Sequence, residues 1–160
     1  MEAEKMLNVA RTALDMLQCV EKQEQVEVLW VSAITCLRGV GHVLKKIDRN
    51  ATAPLARRID EWWECLNENK TAEKNRIFFD FIEKERNNTI KEFSISYDKS
   101  VQGSMIIENI ETKETYFVGD MLPSLLYIPM TDGYFEGEDI RDLISQAIDW
   151  WEDQLDSIKG

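Results

Sequence analysis

Histidine is nearly missing from this chain: His42 is the single imidazole among 160 residues. That excludes a His-rich or Cys/His metal centre, and any Ser-His-Asp or Cys-His system would have to use that one ring. Cysteine is scarce too. Cys19, Cys36 and Cys65 are an odd number with no CxxC spacing, and the pattern reads each as a small core or near-core residue of a helix. No stretch approaches the roughly 18 uninterrupted apolar residues that a spanning helix needs. The opening MEAEKMLNVARTALDM has neither a basic nor a continuous apolar region, so a signal peptide is not expected. These absences predict a cytoplasmic, reduced protein with no membrane partner. There is no GxSxG, HExxH or Walker loop, and neither a metal nor a cofactor is expected. Gly39-Val40-Gly41 before Lys45 lies inside a helical pattern and reads as close helix packing. The stretch from Asp132 to Gly137 fails as a calcium loop, because Leu143 stands where a bidentate Glu belongs.

What the chain has is acid and aromatic bulk. Thirty Asp and Glu oppose 19 Lys and Arg, a net charge of -11. Such a surplus opposes general binding to phosphate backbones or anionic membranes and suits a protein partner with a basic surface. Five Trp, six Phe and four Tyr within 44% hydrophobic residues exclude disorder, and this length can bury a core without staples.

The first half reads as helices. Met6, Ala10, Ala13, Leu14 and Leu17 recur at helical spacing between Ala3 and Val20. Val26, Trp30, Ala33, Leu37, Val40, Leu44 and Ile47 form a narrow seam in a second helix. Pro54 opens a third helix, striped by Leu55, Ile59, Trp62 and Leu66. A fourth spans about Ala72 to Glu92, carrying Ile77, Phe78, Phe81, Ile82 and Ile90. The period then changes: Phe93, Ile95 and Tyr97 alternate with polar residues, and Ser104–Ile107, Thr115–Val118 and Leu125–Ile128 read as further strands. Ile140, Leu143, Ile144, Ala147, Ile148, Trp151 and Leu155 stripe a last helix. The expectation is one α+β domain, mainly α, over residues 1–160: a bundle over 1–92, an antiparallel meander over 93–130, and a closing helix over 138–158.

Two constellations suggest chemistry. His42 points opposite the seam, with Arg38, Lys45, Lys46 and Arg49 on its own face. From Arg38 to Arg58 the net charge is +5, leaving -16 for the rest, so a local anion site can hide within an acidic protein. The bland counterpart is a solvated helix face paired with neighbouring acids. On the fourth helix, Arg86 falls between Ile82 and Ile90 in a stripe that also holds Phe79 and Phe93. A guanidinium there requires a carboxylate, a phosphate or a subunit boundary. The paired Trp62-Trp63 and Trp150-Trp151 each predict one core and one rim tryptophan.

The run Phe81-Ile82-Glu83-Lys84-Glu85-Arg86-Asn87-Asn88-Thr89-Ile90-Lys91-Glu92 on a late helix resembles the HEPN superfamily of small helical domains. Trp30–Ala33, Val40–Leu44 and Ala147–Glu152 resemble an uncharacterised bacterial branch of it. The likeness covers the helices, about two-thirds of the chain. It implies symmetric dimers and metal-independent RNA cleavage, in which an Arg followed by a polar residue holds the scissile phosphate, and a His four to six residues beyond that polar residue moves the proton. Arg86 and Asn87 match the first half of that motif; Lys91, Glu92 and Phe93 stand where the His belongs. The implied reading is a dimeric binding or regulatory protein, ribonuclease chemistry lost, in a defence, stress or toxin–antitoxin setting. An active endoribonuclease using Glu92, Lys91 or His42 as proton carrier is the alternative, with RNA or a nucleotide as ligand. The outward position of His42 predicts that it lies apart from Arg86. A purely structural partner module is the third reading. The seam and surplus tryptophans, with the family habit, predict a homodimer.

Overall fold

The computed structural model describes residues Met1–Gly160. Helix α1 (Glu2–Gln18) and helix α2 (Gln23–Lys46) are joined by so few residues that they run antiparallel. Ala3, Ala10 and Ala13 are buried on α1, and these small side chains allow close approach to α2. The one acid of the basic stretch fixes the start of α1: Asp48 is buried and accepts the backbone N–H groups of Glu2 and Ala3 at 2.8 and 2.9 Å. It thereby satisfies two otherwise orphaned donors.

Helix α2 is long and apolar enough by composition to cross a membrane. In this fold it is the central helix, and Val26, Trp30, Ala33, Ile34, Leu37, Val40 and Leu44 are all buried. Ile47 does not extend the seam. It is 53% exposed, because α2 ends at Lys46 and the chain tightens into a 3-10 turn at Asp48–Asn50. A Cβ on Gly41 would stand 3.1 Å from the Trp151 ring, so this glycine is where helix and indole meet. Helix α3 (Ala53–Glu68) starts at Thr52, whose hydroxyl accepts the Leu55 N–H at 3.3 Å. Ile59 and Leu66 are its buried residues, with Leu55 and Trp62 half-buried.

The fourth helix, residues 77–92, departs from α geometry. Wide π turns at Ile77–Glu83 and Asn88–Glu92 flank one α-helical turn, α4 (Lys84–Asn87). Wide turns advance each residue by only about 80°, so inward positions recur every four residues: Ile77, Phe81, Glu85 and Thr89 are buried, with Phe78 and Ile82 beside them. The α-helical reading placed Arg86 in that stripe; Glu85 occupies it instead. Arg86 is half-buried, and Ile90 and Phe93 face solvent at 51% and 83% exposure. Phe93 takes a left-handed conformation, φ 50°, and ends the helix.

The chain is α+β and mainly α, with a small antiparallel sheet before the last helix. The sheet is smaller than the expected meander: a single hairpin of β1 (Ser104–Glu108) and β2 (Thr115–Asp120). Residues 93–97 form no strand, because the left-handed turn at Phe93 breaks the alternation. Tyr97 alone pairs, with Met130. Leu125–Ile128 is no strand either, since Pro123 opens a 3-10 turn through Leu125. The segment is held instead by Arg141, which donates to the carbonyls of Ser124, at 2.7 Å, and Leu126. Asp139 caps helix α5 (Ile140–Lys159), pairs with Arg141 at 2.7 Å and accepts the Ile128 N–H at 2.8 Å.

Aromatic residues weld α2, α3, α5 and the fourth helix together. Phe78 stacks on Trp150 with centroids 5.1 Å apart and meets Trp151 edge-on at 5.7 Å. Both Trp150 and Trp151 are therefore buried, whereas Trp62 and Trp63 are both half-buried; neither doublet splits into one core and one rim residue. Two of the three cysteines also differ from expectation. Cys36 is half-buried against the core, as a near-core residue should be, but Cys19 and Cys65 are exposed: Cys19 lies just past the end of α1, and Cys65 sits beside the apolar stripe of α3.

Candidate anion-binding cleft

The basic residues of α2 and the motif residues of the fourth helix converge. A cleft of about 350 Å³ between the two helices is lined by Arg38, His42, Glu83, Arg86 and Asn87, with Met6, Thr35, Gly39 and Val43. On the other side of Arg38 and His42, a second hollow of about 500 Å³ is lined by Lys45, Lys46, Arg49, Asp60 and Trp63. Both hollows include Arg38 and His42, so they adjoin at these two side chains and set the cations of α2 and Arg86 in a row. His42 is exposed, as its angular position requires. The same outward position was expected to separate it from Arg86, yet the fourth helix lies along the flank of α2 and brings Arg86 to the same cleft. Lys91 and Glu92 are exposed and line neither hollow.

Local contacts distinguish the cations. Arg38 reaches Glu83 at 3.4 Å, and its guanidinium lies 5.7 Å from the Phe78 ring centre. Arg49 grips Asp60 through two hydrogen bonds of 2.8 and 2.7 Å. That pair holds the Asp60 carboxyl below its usual range and lifts Arg49 further. The solvated-face reading therefore describes Arg49 well. Lys45 stands 4.2 Å over the Trp63 ring, a cation–π contact that fixes a flexible amine beside a flat apolar surface. Arg86 donates to Asn87 Oδ1 at 3.2 Å and takes part in no ion pair within the subunit. It lines the cleft as a cation whose charge is open to a ligand.

Glu83 and Trp63 line these hollows and were not read from the sequence as parts of them. Glu83 could have been found, being three residues before Arg86 and so on the same face of the helix. Trp63 could not, because its role depends on how α3 crosses α2.

Beneath the cleft-bearing turn lies a polar knot. Glu85 is fully buried; its Oε1 accepts from Asn88 at 3.4 Å and its Oε2 has no partner. Asn88 also reaches Ser96 Oγ at 3.2 Å, and the Thr89 hydroxyl is buried without a partner. Burial pushes the Glu85 carboxyl above the ordinary range, against the opposing pull of Ser96 and Lys84. No known protein family, curated protein or solved structure matches this chain.

Proposed function

We propose that this protein is a HEPN-like, cytoplasmic binding module that holds the phosphate groups of RNA or a nucleotide along the Arg38–His42–Arg86 track. One observation carries the reading: Arg86 and Asn87 line the same cleft as Arg38 and His42, in a protein that is otherwise strongly acidic. Arg86 supplies a planar fork for a phosphate, and Arg38, Lys45 and Lys46 extend the positive potential along a backbone. Trp63 beside Lys45 offers a face for a base. The surrounding acids disfavour indiscriminate binding and confine a polyanion to this track.

Binding without turnover is the first reading, because the fourth helix carries no His after Arg86. The placement of His42 favours a second: metal-independent cleavage, with His42 exchanging the proton of a ribose 2′-hydroxyl while Arg86 neutralises the phosphate. Both readings meet one experiment. Labelled RNA is titrated with the protein in EDTA at low ionic strength, by anisotropy and on a denaturing gel. Saturable binding, weakened about tenfold or more by Arg86→Ala or Lys45→Glu, is expected. Strand breaks abolished by His42→Ala would move the conclusion to the enzyme. A wild-type protein that ignores RNA at low salt would overturn both.

A further inference from the structure

Residues 131–138 form a loop that closes on itself and lies against the fourth helix. Its root is fixed, because Met130 and Asp139 are buried on either side. The Gly137 N–H donates to the Met130 carbonyl and the Met130 N–H to the Glu138 carbonyl, both at 2.9 Å. Gly133 and Gly137 have φ of 86° and 88°, left-handed positions that suit glycine and let so short a chain reverse. Apart from Phe135, every residue of the loop is exposed. Its tip is fastened by surface contacts. Asp132 pairs with Lys84, and Tyr134 donates to Glu73 at 2.7 Å. The Arg76 guanidinium stands 4.8 Å over the Tyr134 ring, and Phe135 meets Phe81 edge-on at 6.1 Å. Contacts of this kind are individually weak.

Behind the loop lies the polar knot of the fourth helix. Thr131 joins the two: its N–H and its hydroxyl both donate to the Ser96 carbonyl, at 2.7 and 3.0 Å, and the Ser96 hydroxyl meets Asn88 in the knot. Glu85 is fully buried with Oε2 bare, one turn before the equally bare Thr89 hydroxyl. An ionised carboxylate there lacks the donors that would offset its lost hydration. The charges nearest it act in opposite senses: Lys84 favours ionisation and Asp132 opposes it. From α2, Glu27 is engaged by Lys99 and Arg38 by Glu83. Beside Ser96, burial pushes the Tyr97 phenol up, so it brings no charge.

We propose that the 131–138 loop is a strap that is shut over a neutral Glu85 and is released when that carboxyl gives up its proton to solvent. In the open form water reaches Glu85 and hydrates the carboxylate, which the shut form cannot do. Opening therefore releases one proton at any pH between the open-form pKa, about 4.3 for a solvated glutamate, and the higher value of the shut form. The strap is held most firmly at the low end of that window. Its opening constant rises with pH, by up to about tenfold per unit, until Glu85 ionises in the shut form as well. The turn beneath the strap also carries Arg86 and Asn87, but the strap's state can be read without reference to what the cleft binds.

Amide hydrogen exchange of the full chain tests this, followed at Thr131 from about pH 4.5 to 7.5 and corrected for the intrinsic pH dependence of exchange. The wild type is expected to lose protection at Thr131 by at least about tenfold across the series. Glu85→Gln keeps the size of the neutral acid and cannot ionise, so its protection should stay flat. Lys84→Met removes the tip pair and should speed Thr131 exchange about threefold at every pH. The amide of Ile144, in the core of α5, should exchange at least about a hundredfold more slowly throughout, which marks the opening as local. Wild-type protection that is flat with pH overturns the proposal, and so does the same pH dependence in Glu85→Gln. Thr131 exchange as slow as that of Ile144 also overturns it, because the loop would then open only when the whole protein unfolds. A silent Lys84→Met has the same consequence, since the tip pair would not be fastening the strap.

Discussion

Arg86 and Arg141 share a side chain and differ in almost everything that decides what it does. Arg141 lies in a built enclosure: Asp139 at 2.7 Å, the Ser124 carbonyl at 2.7 Å, and only 16% of the side chain exposed. Burial raises the Asp139 carboxyl, but Arg141 and the N–H groups of Ile128 and Arg141 outweigh it, and the net result is an acid held below its ordinary range. Asp139→Ala would strand a buried guanidinium, remove the cap of α5 and free the Ile128 N–H. A loss of about 3–5 kcal/mol is expected from denaturant melts, the range for breaking a buried pair. Arg86 has only Asn87. Arg86→Ala should therefore cost about 1 kcal/mol or less in the same melts, as for charges with access to solvent. Its effect should appear in polyanion binding, and Arg86→Lys should not restore that binding, because an ammonium lacks the two-pronged geometry. A large stability loss at Arg86 would mean that the residue holds the fold and not a ligand.

At the level of elements, the fourth helix joins the hydrophobic core to the cleft through its wide turns. They put Glu85 inward and leave Arg86 at the cleft edge, at the cost of a buried carboxyl group with one oxygen unpartnered. A folded-state pKa above the unfolded value, about 4.3 for glutamate, means that the folded protein holds the extra proton in the window between the two. Stability contributed by the neutral acid is present at the low end of that window and is lost as pH rises through the folded pKa. Glu85→Gln should accordingly be more stable than wild type at pH 8, by about 1–2 kcal/mol, with the advantage shrinking at pH 5. Equal melts at both pH values would show that Glu85 ionises freely. This helix also marks where the sequence stopped being readable. Four helices and the stripes of α1, α2, α3 and α5 were legible, because 3.6-residue periodicity in α-helices is a local property. On the fourth helix Ile77, Phe78, Phe81 and Ile82 were legible as buried residues, but the continuation through Arg86, Ile90 and Phe93 was misread, since nothing local announces a π turn. The strands were overcounted for a related reason: Phe93, Ile95 and Tyr97 alternate as a strand does, but the left-handed Phe93 and the demands of Arg141 on the 123–128 segment decide the backbone there. Arg38, Lys45, Lys46 and Arg49 were legible as one face. Their meeting with Arg86 depends on how two helices lie against each other, and no spacing within either helix encodes that.

For the whole molecule, charge and apolar surface pull association in opposite directions, and salt separates them. The chain carries -11 overall with a basic track of Arg38, Lys45 and Lys46, and its hairpin exposes large apolar residues. Any two copies brought together carry twice the negative charge, and their mutual repulsion opposes a contact through apolar surface. Raising ionic strength shortens the screening length from about 30 Å at 0.01 M to about 8 Å at 0.15 M, which relieves that repulsion while leaving the apolar contact in place. Self-association should therefore strengthen with added salt. The track should do the reverse. A polyanion bound there releases counterions, so three phosphate contacts imply a slope of about -2 to -3 in log affinity against log salt. Sedimentation and anisotropy titrations over the same salt series are expected to move in opposite directions. Self-association that weakens with salt would identify the contact between copies as ionic and not apolar. RNA binding that ignores salt would remove the phosphate from the track, leaving Lys45 and Trp63 as a packing pair.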